Sequence, residues 1–173
     1  MFGRPGQGWR RGGAGATDEV ALEPAELRQR AIRLLARREH SRAEMRQKLA
    51  RSGGAAADVE ALLDALESEK LLSDLRFAES VARVRAPRYG SQRVANDLRQ
   101  RGVGAVAVTL IADLKAGDQA RAQAAWERKF GAPPASAGER AKQMRFLQAR
   151  GFPGDVIRQV VPRTLVADDP QDE

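Results

Sequence analysis

The chain of 173 residues has no cysteine, a single histidine (His40), one tyrosine and two tryptophans. Without cysteine there is no disulfide, no thiolate metal site and no thiol nucleophile. No apolar run reaches the roughly 18 residues that span a bilayer. No apolar stretch of about 7–15 residues follows the N-terminal charges, as it would in a secretory signal. These absences point to a cytoplasmic protein without a membrane segment. His40 has no carboxylate partner suggestive of a triad, and one histidine cannot build a histidine metal centre. No Gly-x-x-x-x-Gly-Lys-Ser/Thr loop is present to cradle a phosphate. The expectation is a protein with no catalytic residue, no metal and no cofactor, hence not an enzyme.

Basic charge is in excess: 30 Lys+Arg against 23 Asp+Glu, a formal charge of +7. It is unevenly spread. Residues 1–27 sum to −1 and residues 164–173 to −4, while residues 28–163 hold 27 bases and 15 acids, a balance of +12. Of the bases, 25 are Arg, whose planar fork suits phosphate and carboxylate. So basic a body points to an anionic partner, either nucleic acid or an acidic protein groove. Arginines that merely solvate helices would give the same balance.

Six glycines fall in the first 17 residues, and residues 1–24 read as a disordered Gly/Arg-rich leader. Phe2, Trp9 and its arginines are of a kind that touches nucleic acid by stacking and charge. Residues 164–173 read as an acidic disordered tail. Between them the composition is helical, rich in Ala, Leu, Arg, Glu and Gln. Ser41 followed by Glu44 has the form of a capping box. Gly53-Gly54 stops the helix that follows.

A phrase then recurs. Leu49-Ala-Arg-Ser-Gly53, Leu98-Arg-Gln-Arg-Gly102 and Leu147-Gln-Ala-Arg-Gly151 lie 49 residues apart, both times. The same interval relates Val59, Val108 and Ile157; Leu62, Ile111 and Val160; Ile32, Val81 and Phe130; and Met45 and Val94, with Gln143 the polar exception. Columns in one register mark an internal repeat. The spacing predicts an all-α chain of three tandem three-helix repeats, forming an elongated, curved rod. The units span residues 25–72, 73–116 and 117–163. Their helices are expected at 25–38, 41–52, 57–69; 74–86, 91–101, 104–115; and 118–130, 138–150, 154–162.

Basic residues gather on and around each unit's middle helix. The candidate partner-binding set is Arg42, Arg46 and Arg51 in unit one, Arg88, Arg93, Arg99 and Arg101 in unit two, and Arg145 and Arg150 in unit three. Lys48, Arg140 and Lys142 lie among them. Recurring arginines of this kind contact phosphates at successive points or pair with the carboxylates of a protein filament. The competing reading is an internal salt bridge, for instance to Glu60 or Asp113. Gln92, Asn96 and Gln100 form one i, i+4, i+8 row, compatible with base readout or with a solvent face.

The stretches LLARREHSRAEMRQKLARSG, VEALLDALESEKLLSDLRFAESVARVR, GSQRVANDLRQRGV and RAKQMRFLQARGF resemble the RecX family, regulatory proteins of the RecA recombinase. The resemblance covers about residues 28–162. Its most specific pieces are the Arg-x-x-Ser-x-x-Glu stretch at Arg38–Glu44 and Ser73-Asp74-Leu75-Arg76-Phe77-Ala78. It implies an all-helical, non-catalytic protein of three tandem three-helix units. Such a protein binds in the groove of the RecA filament on single-stranded DNA and restrains its ATPase, strand-exchange and co-protease activities. Weak direct DNA binding goes with it in some members, and the chain is separately expected to be a monomer. The alternative is a DNA-binding helical-repeat protein that acts independently of RecA.

Overall fold

The computed structural model describes residues 22–164; most of the expected leader and of the acidic tail lie outside them. Helices are the only regular secondary structure among the described residues: α1 (Pro24–Leu35), α2 (Arg42–Ala50), α3 (Ala56–Ser68), α4 (Asp74–Arg85), α5 (Ser91–Gln100), α6 (Val108–Ala116), α7 (Asp118–Lys129), α8 (Ala137–Ala149) and α9 (Gly154–Val160). Each successive triplet has its own apolar cluster, centred on Leu27, Met45, Leu49 and Leu63; on Phe77, Val94, Leu98 and Val103; and on Trp126, Leu147, Phe152 and Ile157.

The repeated Leu-x-x-x-Gly phrase is a helix stop. Gly53, Gly102 and Gly151 end the middle helices at φ of 86°, 79° and 78°, a region that side chains with a Cβ rarely adopt. The left-handed turn lets the next amide reach back. Gly54, Val103 and Phe152 donate to the carbonyls of Leu49, Leu98 and Leu147 at 3.2, 3.0 and 3.3 Å, the long bond of a Schellman motif. Val103 and Phe152 also carry their side chains into the cores. One short phrase thus fixes a helix end, a chain reversal and a core residue. Leu49, Leu98 and Leu147 are all fully buried.

The same ends join one unit to the next. The last carbonyls of a helix lack intrahelical partners. At Arg101 that carbonyl accepts the Ser41 hydroxyl, 3.2 Å away, and at Arg150 it accepts the Gly90 amide at 2.9 Å. Both bonds span 60 residues. The C-terminus of α8 therefore meets the N-terminus of α5, and the C-terminus of α5 meets the N-terminus of α2. Opposite ends of the helix dipoles face each other, a favourable arrangement. A carboxylate completes each junction. Asp74, first residue of α4, accepts the Arg42 amide at 2.7 Å, and Asp118, first residue of α7, accepts the Ser91 amide at 3.0 Å. Asp118 is fully buried and also pairs with the Ser91 hydroxyl and with Arg121 at 2.7 Å.

Several expectations need correction. α6 begins at Val108, not at residue 104. Val103 turns into the core, and the chain needs the residues up to Ala107, itself buried, to climb back. Val108 is consequently 65% exposed, while its column mates Val59 and Ile157 are buried. The first helices also leave the 49-residue register, since α1, α4 and α7 begin at Pro24, Asp74 and Asp118; Ile32 lies at the surface. Gln143, the polar exception, is buried in its column after all. Its carbonyl accepts the Trp126 indole at 2.8 Å and its amide donates to Ala132 O at 3.3 Å.

Ser41 accepts the Glu44 amide at 3.1 Å, as the cap requires. The Glu44 carboxylate, however, does not return to the Ser41 amide; it bridges Arg38 and Arg101. Ser41→Ala removes both the cap and the junction bond to Arg101, so it should cost about 2 kcal/mol, roughly 1 for each. Hydrogen exchange at the Glu44 amide reads the first loss. Unaltered protection there would show that the hydroxyl caps nothing.

Candidate functional site

The basic residues divide according to what α2 and α5 face. In unit one, Glu60, Asp64 and Glu67 recur along α3 at spacings of four and three and stand opposite Arg42 and Arg46. Arg42 pairs with all three acids at 2.7–2.8 Å, and Arg46 forks onto Glu60, with one contact at 2.9 Å. Hydrogen bonds from Arg46 and then Arg42 pull the Glu60 carboxyl down to about 2. The same bonds, Glu60 foremost, raise both guanidiniums above their usual range. These two arginines hold α2 to α3 and are internally committed.

Arg101 pairs with Glu44 of unit one at 2.6 Å and lies 5.9 Å from the Phe77 ring centroid. Arg93 donates to Ala149 O at 2.9 Å and stacks 4.5 Å over Tyr89. Arg150 lies 3.8 Å over the Phe146 ring. Arg101 and Arg93 thus belong in part to the unit junctions, while Arg150 rests on its own helix. The side chains of Arg51, Arg88, Arg99 and Arg145 are exposed and form no hydrogen bond or ion pair with a described residue. Of the nine candidates, these four present the guanidinium to solvent without a partner among the described residues.

One feature was not singled out from sequence. Arg30, Arg33 and Arg37 form an exposed row on and just beyond α1, beside Leu34; their i, i+3, i+7 spacing was the available signal. His40, the single histidine, is buried, with its Nδ1 3.0 Å from Arg38 O. Burial, reinforced by the Arg38 charge, holds it below its ordinary pKa. Among the described residues no group of three His, Asp or Glu side chains is placed to hold a metal. No helix there is long and apolar enough to cross a membrane.

Three-helix units stacked end to end, with exposed arginines on their outer faces, define a class: an all-helical repeat protein. The comparisons narrow it. Models described as the first, second and third three-helix domains of RecX match residues 28–66, 73–109 and 117–161. Regulatory protein RecX of Ralstonia nicotianae is 50% identical over 140 residues, 80% of this chain and 88% of that protein. Regulatory protein RecX of Herbaspirillum seropedicae is 48% identical over 149 residues, 85% and 97% of the two chains. The crystal structure of RecX from Lactobacillus salivarius shares the fold, with a TM-score of 0.65 at 19% identity over 79% of this chain and 93% of that one. The chain belongs to the RecX family of regulatory proteins.

Proposed function

We propose that the chain is a modulator of the RecA recombinase. It binds in the groove of the RecA filament on single-stranded DNA and inhibits ATPase, strand exchange and co-protease activity. The observation that carries this reading is family membership extending through all three units. A surface with unpaired arginines in every unit supports it, because a filament groove offers carboxylates and phosphates together. Arg51, Arg88, Arg99 and Arg145 make the partner contacts. Arg93 and Arg150 add a donor edge beside a stacked ring, whereas Arg42, Arg46 and Arg101 serve the fold first. The protein acts in the cytoplasm as a monomer.

The test is charge reversal at three of the unpaired positions, one in each unit: Arg51→Glu, Arg88→Glu and Arg145→Glu combined. Three charge-assisted contacts at about 1 kcal/mol each should weaken inhibition of the RecA ATPase about a hundredfold or more. Helicity should be unchanged, since none of the three holds another described residue. Inhibition equal to wild type would place the contact elsewhere.

A further inference from the structure

The face between the second and third helices of each unit is treated differently in the three repeats. In unit one it is bridged by Arg42 and Arg46 to the acids of α3. In unit three the corresponding residues are Arg140, which donates to Pro162 O at 3.1 Å, and Met144, which packs against the core. In unit two the same two positions are Ser91 and Ala95. No long side chain at these two positions spans the gap, and among the described residues a groove of about 620 Å³ remains between α5 and α6. Ser91 and Ala95 lie along it with Gln92, Asn96, Arg99 and Lys115; Ile111 adds an apolar surface, and Pro153 and Asp155 of unit three border it.

Its chemistry is specific. The side chains of Gln92, Asn96, Arg99 and Lys115 are exposed and bond to no described residue. Gln92 and Asn96 are one helical turn apart, a rise of about 6 Å. That nearly matches the two-residue repeat of an extended chain, about 6.7 Å. Each amide offers both a donor and an acceptor, as a peptide main chain does. Arg99 and Lys115 leave two positive charges without counter-ions, suited to carboxylates. Among the described residues no aromatic side chain lines the groove, so nucleobases would find no stacking platform in that lining.

We propose that the α5–α6 groove receives an extended acidic peptide segment of the protein partner. Gln92 and Asn96 hold its main chain, Arg99 and Lys115 hold its carboxylates, and Ile111 meets an apolar side chain between them. The proposal rests on the reading of this chain as a partner-binding regulator and adds where, and by what chemistry, the partner is read.

The full chain, 15N-labelled, is titrated by NMR with a short peptide of alternating glutamate and leucine. Two controls accompany it: the same peptide with glutamine for glutamate, and an oligothymidylate of similar length. The acidic peptide should shift the amides of residues 92–99 and 108–115. It should bind at least about tenfold more tightly than the glutamine peptide, because its charges alone reach Arg99 and Lys115. Gln92→Ala with Asn96→Ala, and separately Arg99→Glu with Lys115→Glu, should each weaken it about tenfold, with circular dichroism unchanged. Shifts confined to other residues, equal binding of the glutamine peptide, or stronger shifts of these amides by oligothymidylate would overturn the proposal. No recombinase enters this titration, so its failure is distinct from failure of the RecA reading, which wild-type inhibition of the ATPase tests alone.

Discussion

Leu98→Ala should lower stability by about 4 kcal/mol, in the upper part of the range for truncating a buried leucine. Leu98 is fully buried in the middle unit. Its cluster contains Phe77, Val94 and Val103, but the other buried members, Ala78, Ala82 and Ala107, are alanines. Small neighbours have no side chain to swing into the void, so the cavity stays open and the cost stays high. Leu147 packs with the larger Trp126 and Phe152 and should cost no more when truncated. Denaturant titration reads the difference as a lower midpoint at an unchanged slope. A loss below about 0.5 kcal/mol, typical of a surface site, would mean that the 49-residue register does not align the cores.

A second large effect is expected where two backbones touch. A Cβ at Gly90 would stand 2.3 Å from the Gly151 carbonyl oxygen and 2.6 Å from the Phe152 Cα. Neither can step aside cheaply, because Gly151 is held in the left-handed turn that ends α8. Gly90→Ala should therefore force units two and three apart, break the Gly90 amide bond to Arg150 and cost about 3 kcal/mol, as overpacking at a tight site does. Sequence logic suggests the opposite. Gly90 shares its column with Ser41, and a repeat that accepts serine in one unit ought to accept a small side chain in the next. The junctions differ in closeness: the first is bridged by the Ser41 side chain, the second by the Gly90 backbone itself. Thermal unfolding, with hydrogen exchange across α8 and α9, would register the change. A melt within about 0.5 kcal/mol of wild type would show that the junction yields.

These two sites mark what could be read from sequence. Helix number, order and approximate limits were legible because they depend on local signals: glycine stops, the Ser41 cap and apolar periodicity. The Leu49, Leu98, Leu147 column was legible because the same turn chemistry recurs at a constant interval. Val108 misled, because the interval counts residues and the loop after Gly102 uses them differently from the loops after Gly53 and Gly151. The arginines were the least legible. Arg42 and Arg99 look equivalent in sequence, yet Arg42 meets three acids from α3 and Arg99 meets none. That distinction needs the packing of one helix against another. The α5–α6 groove did leave a trace, Ser91 and Ala95 where unit one has Arg42 and Arg46, but it becomes meaningful only once those arginines are seen to bridge α2 and α3.

The RecA reading is most directly tested by steady-state ATPase of RecA filaments on single-stranded DNA already saturated with recombinase, titrated with the wild-type chain at low and moderate salt. The rate should fall with added protein although no free DNA remains, and more protein should be needed at the higher salt, since charged contacts weaken as ions screen them. A rate that stays constant on saturated filaments, and falls only when bare DNA is left to compete for, would contradict the filament-binding account and identify the chain as a DNA binder instead.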